Sequence, residues 1–229
     1  MLSAVAIIPS APVLVPELAG SAAGEVADLR SAVDTAVAVL PTRWIAVGIG
    51  AADAELGPQV CGTFAGFGVD VRVRLGPEAG APNPVELPLC GLMAAWVRGR
   101  AGDDRSVQAR VYAADLGGDT ARSRGRELRA SIDREPEPIG VLVVADGVNT
   151  LTLDAPGGYD PDGTHAQQFL DEALAGGDVG ALTRLPARVL GRAAFAVLAG
   201  LTEPGPQSAK ELYRGAPFGV GYFVGVWQP

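Results

Sequence analysis

Three short runs, VAIIP (5–9), WIAVGIG (44–50) and IGVLVVAD (139–146), are almost wholly apolar and are separated by long amphipathic stretches. A short run that is apolar on both faces cannot sit at a surface, so it predicts a central strand covered from both sides. VDVRVRL (69–75) and QARVYAAD (108–115) read as two further strands. Within 21–40, Val26, Leu29, Val33, Val37 and Leu40 recur at helical spacing until Pro41 ends the pattern. Helical spacing returns at 85–100, 119–133, 164–175 and 186–200, and Thr164 followed by Gln167 predicts a capping box. This alternation predicts an α/β chain, a three-layer α/β/α sandwich around a mostly parallel or mixed sheet, with residues 1–229 forming one domain. The tail, KELYRGAPFGVGYFVGVW, has the period-two pattern of a closing hairpin or edge strands, and GPEAGAPNP (76–84) reads as a surface loop.

Composition narrows the function classes. A hydrophobic content of 48% supplies a buried core and excludes a disordered chain. The formal charge of −8, with Lys210 the only lysine, leaves no basic stripe to neutralise phosphates, so nucleic acid is not an expected partner. GVGYFVG lacks the strand–turn–helix context of a phosphate loop. Cys61 and Cys90 show no CxxC spacing and read as buried thiols rather than a disulfide or a zinc site. The first residues lack the positive n-region of a signal peptide and are interrupted by Pro9, Pro12 and Pro16. The longest strongly apolar stretch, 193–201, is far shorter than the roughly 20 residues that span a bilayer. A cytoplasmic protein with no membrane partner is therefore expected.

Loops 10–20, 51–58 and 146–163 follow the first, second and fifth strand runs. In an open α/β sheet, loops leaving the carboxyl ends of strands line the ligand crevice. Ser10 either offers a hydroxyl to a ligand or forms a turn between prolines. Asp146 and Asn149 either bind a polar ligand or close an Asx turn. Tyr159 and Tyr213 either line the crevice or pack with satisfied hydroxyls. His165, the only imidazole, falls in the first turn of a helix, where exposure to solvent is the simpler expectation. Phe218, Tyr222, Phe223 and Trp227 mark the C-terminal strands as a possible homo-oligomer interface.

The segment VLVVADGVNTLTLDAPGGYDPDG (141–163) resembles a region of the class III extradiol ring-cleavage dioxygenases, a family related to Memo, where a strand ends in a Gly-Asp-Leu-Ser-His type motif followed by DAP-x-GYDP. Asp146 matches the motif's Asp, Asn149 falls where its His would be, and Asp154, Ala155, Pro156, Gly158, Tyr159, Asp160 and Pro161 match the rest. IIPSAPVLVPELAG (7–20) is similar to the family's opening His-x-Pro segment, with Ser10 in the place of the His, and APFGVGYFV (216–224) is similar to the end of the Memo-like branch.

The resemblance implies an α/β/α fold whose active members bind non-haem Fe(II) through two histidines and a glutamate, with a further histidine as acid/base. A chain with one histidine cannot supply that set, because the facial triad needs two imidazole donors. After the second strand GIGAAD places Gly50, Ala51 and Asp53 where another histidine is implied, and Glu211 resembles the family's late glutamate. The leading expectation is a dioxygenase-like protein with no iron and no other cofactor, a small-molecule binding or interaction module. The alternatives are a structural protein that serves in assembly and an enzyme of altered chemistry: a hydrolase holding a hard cation through Asp53, Asp146 and Glu211, or a residual aromatic-ring dioxygenase. Ser10, Asp53, Asp146, Asn149 and Glu211 should then meet at one end of the sheet, and Tyr159 and His165 are further ligand-binding candidates.

Overall fold

In the computed structural model, which describes residues 1–77 and 83–229, the apolar runs form the middle of a seven-stranded mixed sheet. Its strands are β1 (Leu2–Ile8), β2 (Arg43–Gly50), β3 (Ala54–Leu56), β6 (Ser106–Ala113), β7 (Ile139–Val144), β8 (Ser208–Gly215) and β9 (Tyr222–Gln228). The order across the sheet is β3-β6-β2-β7-β1-β9-β8, and β6, β2, β7 and β1 run parallel. All six residues of β7 are buried, as a strand covered on both faces requires. The tail folds as an antiparallel hairpin, with β9 paired to β1 and β8 left as the edge.

Two apolar clusters fill the spaces above and below the sheet. On one face lie α2 (Ala27–Val37) and α3 (Leu89–Ala101). On the other lie α4 (Gly118–Asp133), α5 (Gly163–Gly176), α6 (Val179–Leu182) and α7 (Arg192–Leu201). Helix α7 is buried from Ala193 to Leu201 because α4 covers its outer side. The two helices cross at glycines: a Cβ on Gly125 would overlap the Val197 carbonyl oxygen, and one on Gly200 would overlap that of Arg122. Trp227 closes the second cluster, its indole N–H donating to the Leu174 carbonyl at 2.8 Å.

Several expectations need correction. The run 69–75 does not enter the main sheet. Only β5 (Arg72–Arg74) is a strand, and it pairs with β4 (Cys61–Thr63) in a separate hairpin turned at Gly68, whose φ is +102°. Helix α2 starts at Ala27 rather than 21, because Gly20–Gly24 forms a 3-10 turn after the short helix α1 (Pro16–Ala19). Helix α7 starts at Arg192, after turns that begin at Pro186. The capping box at Thr164 is absent: α5 begins at Gly163, and the Gln167 amide turns inward to another partner. Tyr222, Phe223 and Trp227 are buried in their own chain, whereas Phe218 is exposed. The exposed edge is β8, whose Lys210, Glu211 and Arg214 are the charges that discourage edge pairing. Residues 78–82 of the Pro/Gly-rich loop lie outside the described residues.

Candidate functional site

The carboxyl ends of β1 and β7 lie side by side, with Ile8 in register with Val144. The chain continues from β7 through Ala145, whose N–H donates to the Ile8 carbonyl at 3.0 Å, and then reaches Asp146. From β1 it leaves through Pro9 to Ser10. This adjacency brings Ser10 and Asp146 into contact across 136 residues of sequence: the Ser10 N–H donates to Oδ1 at 2.8 Å and its Oγ to Oδ2 at 2.6 Å. Both bonds are short, as expected when the acceptor carries charge.

Asp146 keeps some exposure as a residue, but its carboxylate is well shielded. Burial pushes the acid above its ordinary range, and the two bonds from Ser10 oppose that shift. Tyr222 is buried near this carboxylate. Burial raises its phenol first, and the negative charge of Asp146 raises it further.

The backbone from Asp146 to Val148 is tied to neighbouring segments. The Asp146 carbonyl accepts from Gly191 N–H at 2.9 Å, and the Gly147 carbonyl from Leu190 N–H at 3.0 Å. Gly147 N–H donates to the Gly221 carbonyl at 3.0 Å, while Gly221 N–H donates to the Val148 carbonyl at 2.8 Å. Val148 N–H finds a side chain instead: the Gln167 Oε1, at 2.9 Å. Farther along, Leu151 N–H donates to the Gly219 carbonyl at 3.1 Å. Ser10, the stretch Asp146–Leu151 and the stretch Gly219–Gly221, far apart in sequence, thus lie against one another. Phe218 turns through the left-handed region there (φ 60°), a rare conformation for a bulky residue, and stays exposed.

The remaining expected site residues do not join this pair. Asn149 faces its own loop, with its Oδ1 against Gly157 and its carbonyl accepting from Gly157 N–H at 2.9 Å. Tyr159 and His165 are exposed. Asp53 accepts from Ala113 N–H at 2.8 Å and so caps the end of β6, while Glu211 accepts from Arg214 Nε at 2.8 Å on the edge strand. With strands about 4.8 Å apart, β6 and β8 are separated by five spacings, roughly 24 Å. Asp53, Asp146 and Glu211 cannot share one ion, which corrects the expectation of a common carboxylate site. Among the described residues, no group of three or more His, Cys, Asp or Glu could hold a metal ion.

The Fe(II) that the resemblance implies therefore does not fit these residues. Its implied donors are a hydroxyl and an amide, poor ligands for Fe(II) beside neutral imidazole, and each oxygen of the one carboxylate present accepts a bond from Ser10. Both cysteines are buried and outside any disulfide. Cys90 donates to the Ile49 carbonyl, and burial pushes its thiol up to about 11, so it is no ready nucleophile.

Sequence reasoning missed Gln167 and Asp171. Both are buried, and Gln167 Nε2 donates to Asp171 Oδ1 at 2.8 Å. The available signal was a polar pair at i and i+4 on the face of α5 that otherwise carries Ala166, Leu170 and Leu174. Grooves lie away from the Ser10–Asp146 pair. One of about 470 Å³ lies beside Asp53, Arg110 and Arg124, and one of about 460 Å³ lies near the amino ends of β2 and β6.

No family model matches the chain, and no curated protein matches it. Among solved structures it is similar to the crystal structure of an uncharacterized protein, JW3007, from Escherichia coli K12. The two share 12% identity with a TM-score of 0.62, covering 99% of this chain and 100% of that one. That likeness establishes a shared fold over the whole length. Among the described residues no helix is long and apolar enough to cross a membrane.

Proposed function

We propose that this protein is an extradiol-dioxygenase-like scaffold that works without iron, as a small-molecule binding or interaction module. The observation that carries the reading is the Ser10–Asp146 pair. At the strand ends where the resemblance implies imidazole, a serine donates twice to the carboxylate and leaves it no oxygen free of a protein donor. Ring cleavage needs a metal with open positions for catechol and dioxygen, and hydroxyl and amide oxygens are poor donors to Fe(II) beside neutral imidazole. A shielded Ser–Asp pair flanked by the Tyr222 phenol instead suits a neutral ligand with hydroxyl or amide groups. An anion there would face the Asp146 charge.

The test is a titration of isotopically labelled full-length protein with catechol as the probe. Saturable shifts at the Ser10, Val148 and Gly221 amides without turnover support the reading. Oxygen uptake with ring-opened product would contradict it, and shifts confined to the grooves near Asp53 or Arg43 would move the binding site elsewhere.

A further inference from the structure

The loop after β7 carries Asp146, and the buried N–H of Val148 within it is held by a side chain rather than by backbone. We infer that the buried Gln167–Asp171 pair is a positioning device for this loop, fixing Asp146 against Ser10 while Asp171 is ionised and loosening it when Asp171 takes up a proton. This rests on the crevice being the working site and concerns how that site is regulated.

An amide side chain presents an acceptor on one side and a donor on the other. Val148 N–H is a donor, so it requires the oxygen of Gln167, which forces Nε2 toward Asp171. An ionised carboxylate offers only acceptors and admits no other orientation. A protonated Asp171 offers an O–H as well, which the amide can satisfy by turning its oxygen away from Val148. Val148 N–H would then face a second donor. The packing is tight enough for this choice to matter: a Cβ on Gly147 or on Gly221 would overlap the Gln167 oxygen, so two backbone segments close on that atom.

The charges around Asp171 are few. Glu172 on its own helix and Glu211 on β8 raise its proton affinity, and Arg214 on β8 lowers it; α6 contributes no charged residue, and β9 contributes only the Tyr222 phenol as an ionisable side chain. Burial is the largest influence and pushes the acid up to about 6, with the Gln167 bond opposing. That places the change of state inside the range over which cells and compartments differ in pH.

The experiment follows backbone amides and side-chain carboxyl carbons by NMR in the intact protein without ligand, so its outcome is separable from catechol binding. The Val148 amide and the Gln167 side-chain amide should move together, with the midpoint read at the Asp171 carboxyl carbon, and Val148 hydrogen exchange should accelerate about tenfold or more below that midpoint as local opening becomes easier. Asp171→Asn should abolish the transition. His165→Gln should retain it, which excludes the only histidine as the source. A Val148 amide unchanged across the Asp171 midpoint would overturn the inference, as would a transition that persists in Asp171→Asn. Should that variant fail to fold, the comparison of midpoints in the unmodified protein decides alone.

Discussion

Ser10 gives Asp146 both of its polar hydrogens, the N–H at 2.8 Å to one carboxylate oxygen and the Oγ–H at 2.6 Å to the other, and in doing so ties the exit of β1 to the exit of β7. The pair joins two loops that leave the carboxyl ends of adjacent parallel strands. The carboxylate is shielded, yet both of its oxygens have donors.

Ser10→Ala removes one of those donors and leaves Oδ2 unsatisfied, at a cost of about 1–3 kcal/mol. The sign of the pH dependence follows from the raised acid. The folded state holds its proton more tightly than the unfolded chain, so stability is highest below the ordinary aspartate range and falls as pH rises toward the folded value. Losing the Ser10 bond, which opposes the shift, widens that window. Urea denaturation from pH 4 to 8 should therefore show the variant falling more steeply than the parent. Equal slopes would mean that the bond contributes nothing.

Gly200→Ala and Gly125→Ala should each cost roughly 1–3 kcal/mol, because the added methyl meets carbonyl oxygens of the facing helix, which no rotamer change can move aside. Gly99→Ala, on exposed α3 surface with open space around it, is the control and should be neutral or stabilising by up to about 1 kcal/mol. Thermal unfolding of the three variants checks the contrast. A tolerated Gly200→Ala would place α4 and α7 farther apart than described.

Asp171→Asn keeps an acceptor for Gln167 and removes the ionisation. In the parent, Asp171 is raised to about 6, so its contribution is most favourable at low pH and is lost between the ordinary aspartate range and about 6. The variant should gain stability relative to the parent across that interval, by about 1–2 kcal/mol at neutral pH. A stability difference that does not change with pH would show that Asp171 has no raised affinity for its proton.

The sheet was readable because its central strands are apolar on both faces, a pattern that few other structures tolerate; β1, β2, β6 and β7 fall within a few residues of the runs that predict them. The 69–75 run misled because alternating Val and Arg satisfies a local hairpin as well as a sheet edge. At the site, Ser10 and Asp146 were legible as strand exits. Their direct bond was not, since it depends on the register of Ile8 with Val144. Asp53 and Glu211 were misplaced for the opposite reason: each follows or closes a strand, but those strands lie at opposite sides of the sheet. Gln167 read as a cap because periodicity gives its position on the helix and not the loop that approaches it.

Independence from iron is decided by the metal content of tag-free protein after anaerobic incubation with Fe(II) and desalting, followed by exposure to catechol and air. A scaffold that works without the metal should retain iron well below one atom per chain and give no ring-opened product. One tightly held iron per chain together with catechol cleavage would contradict it.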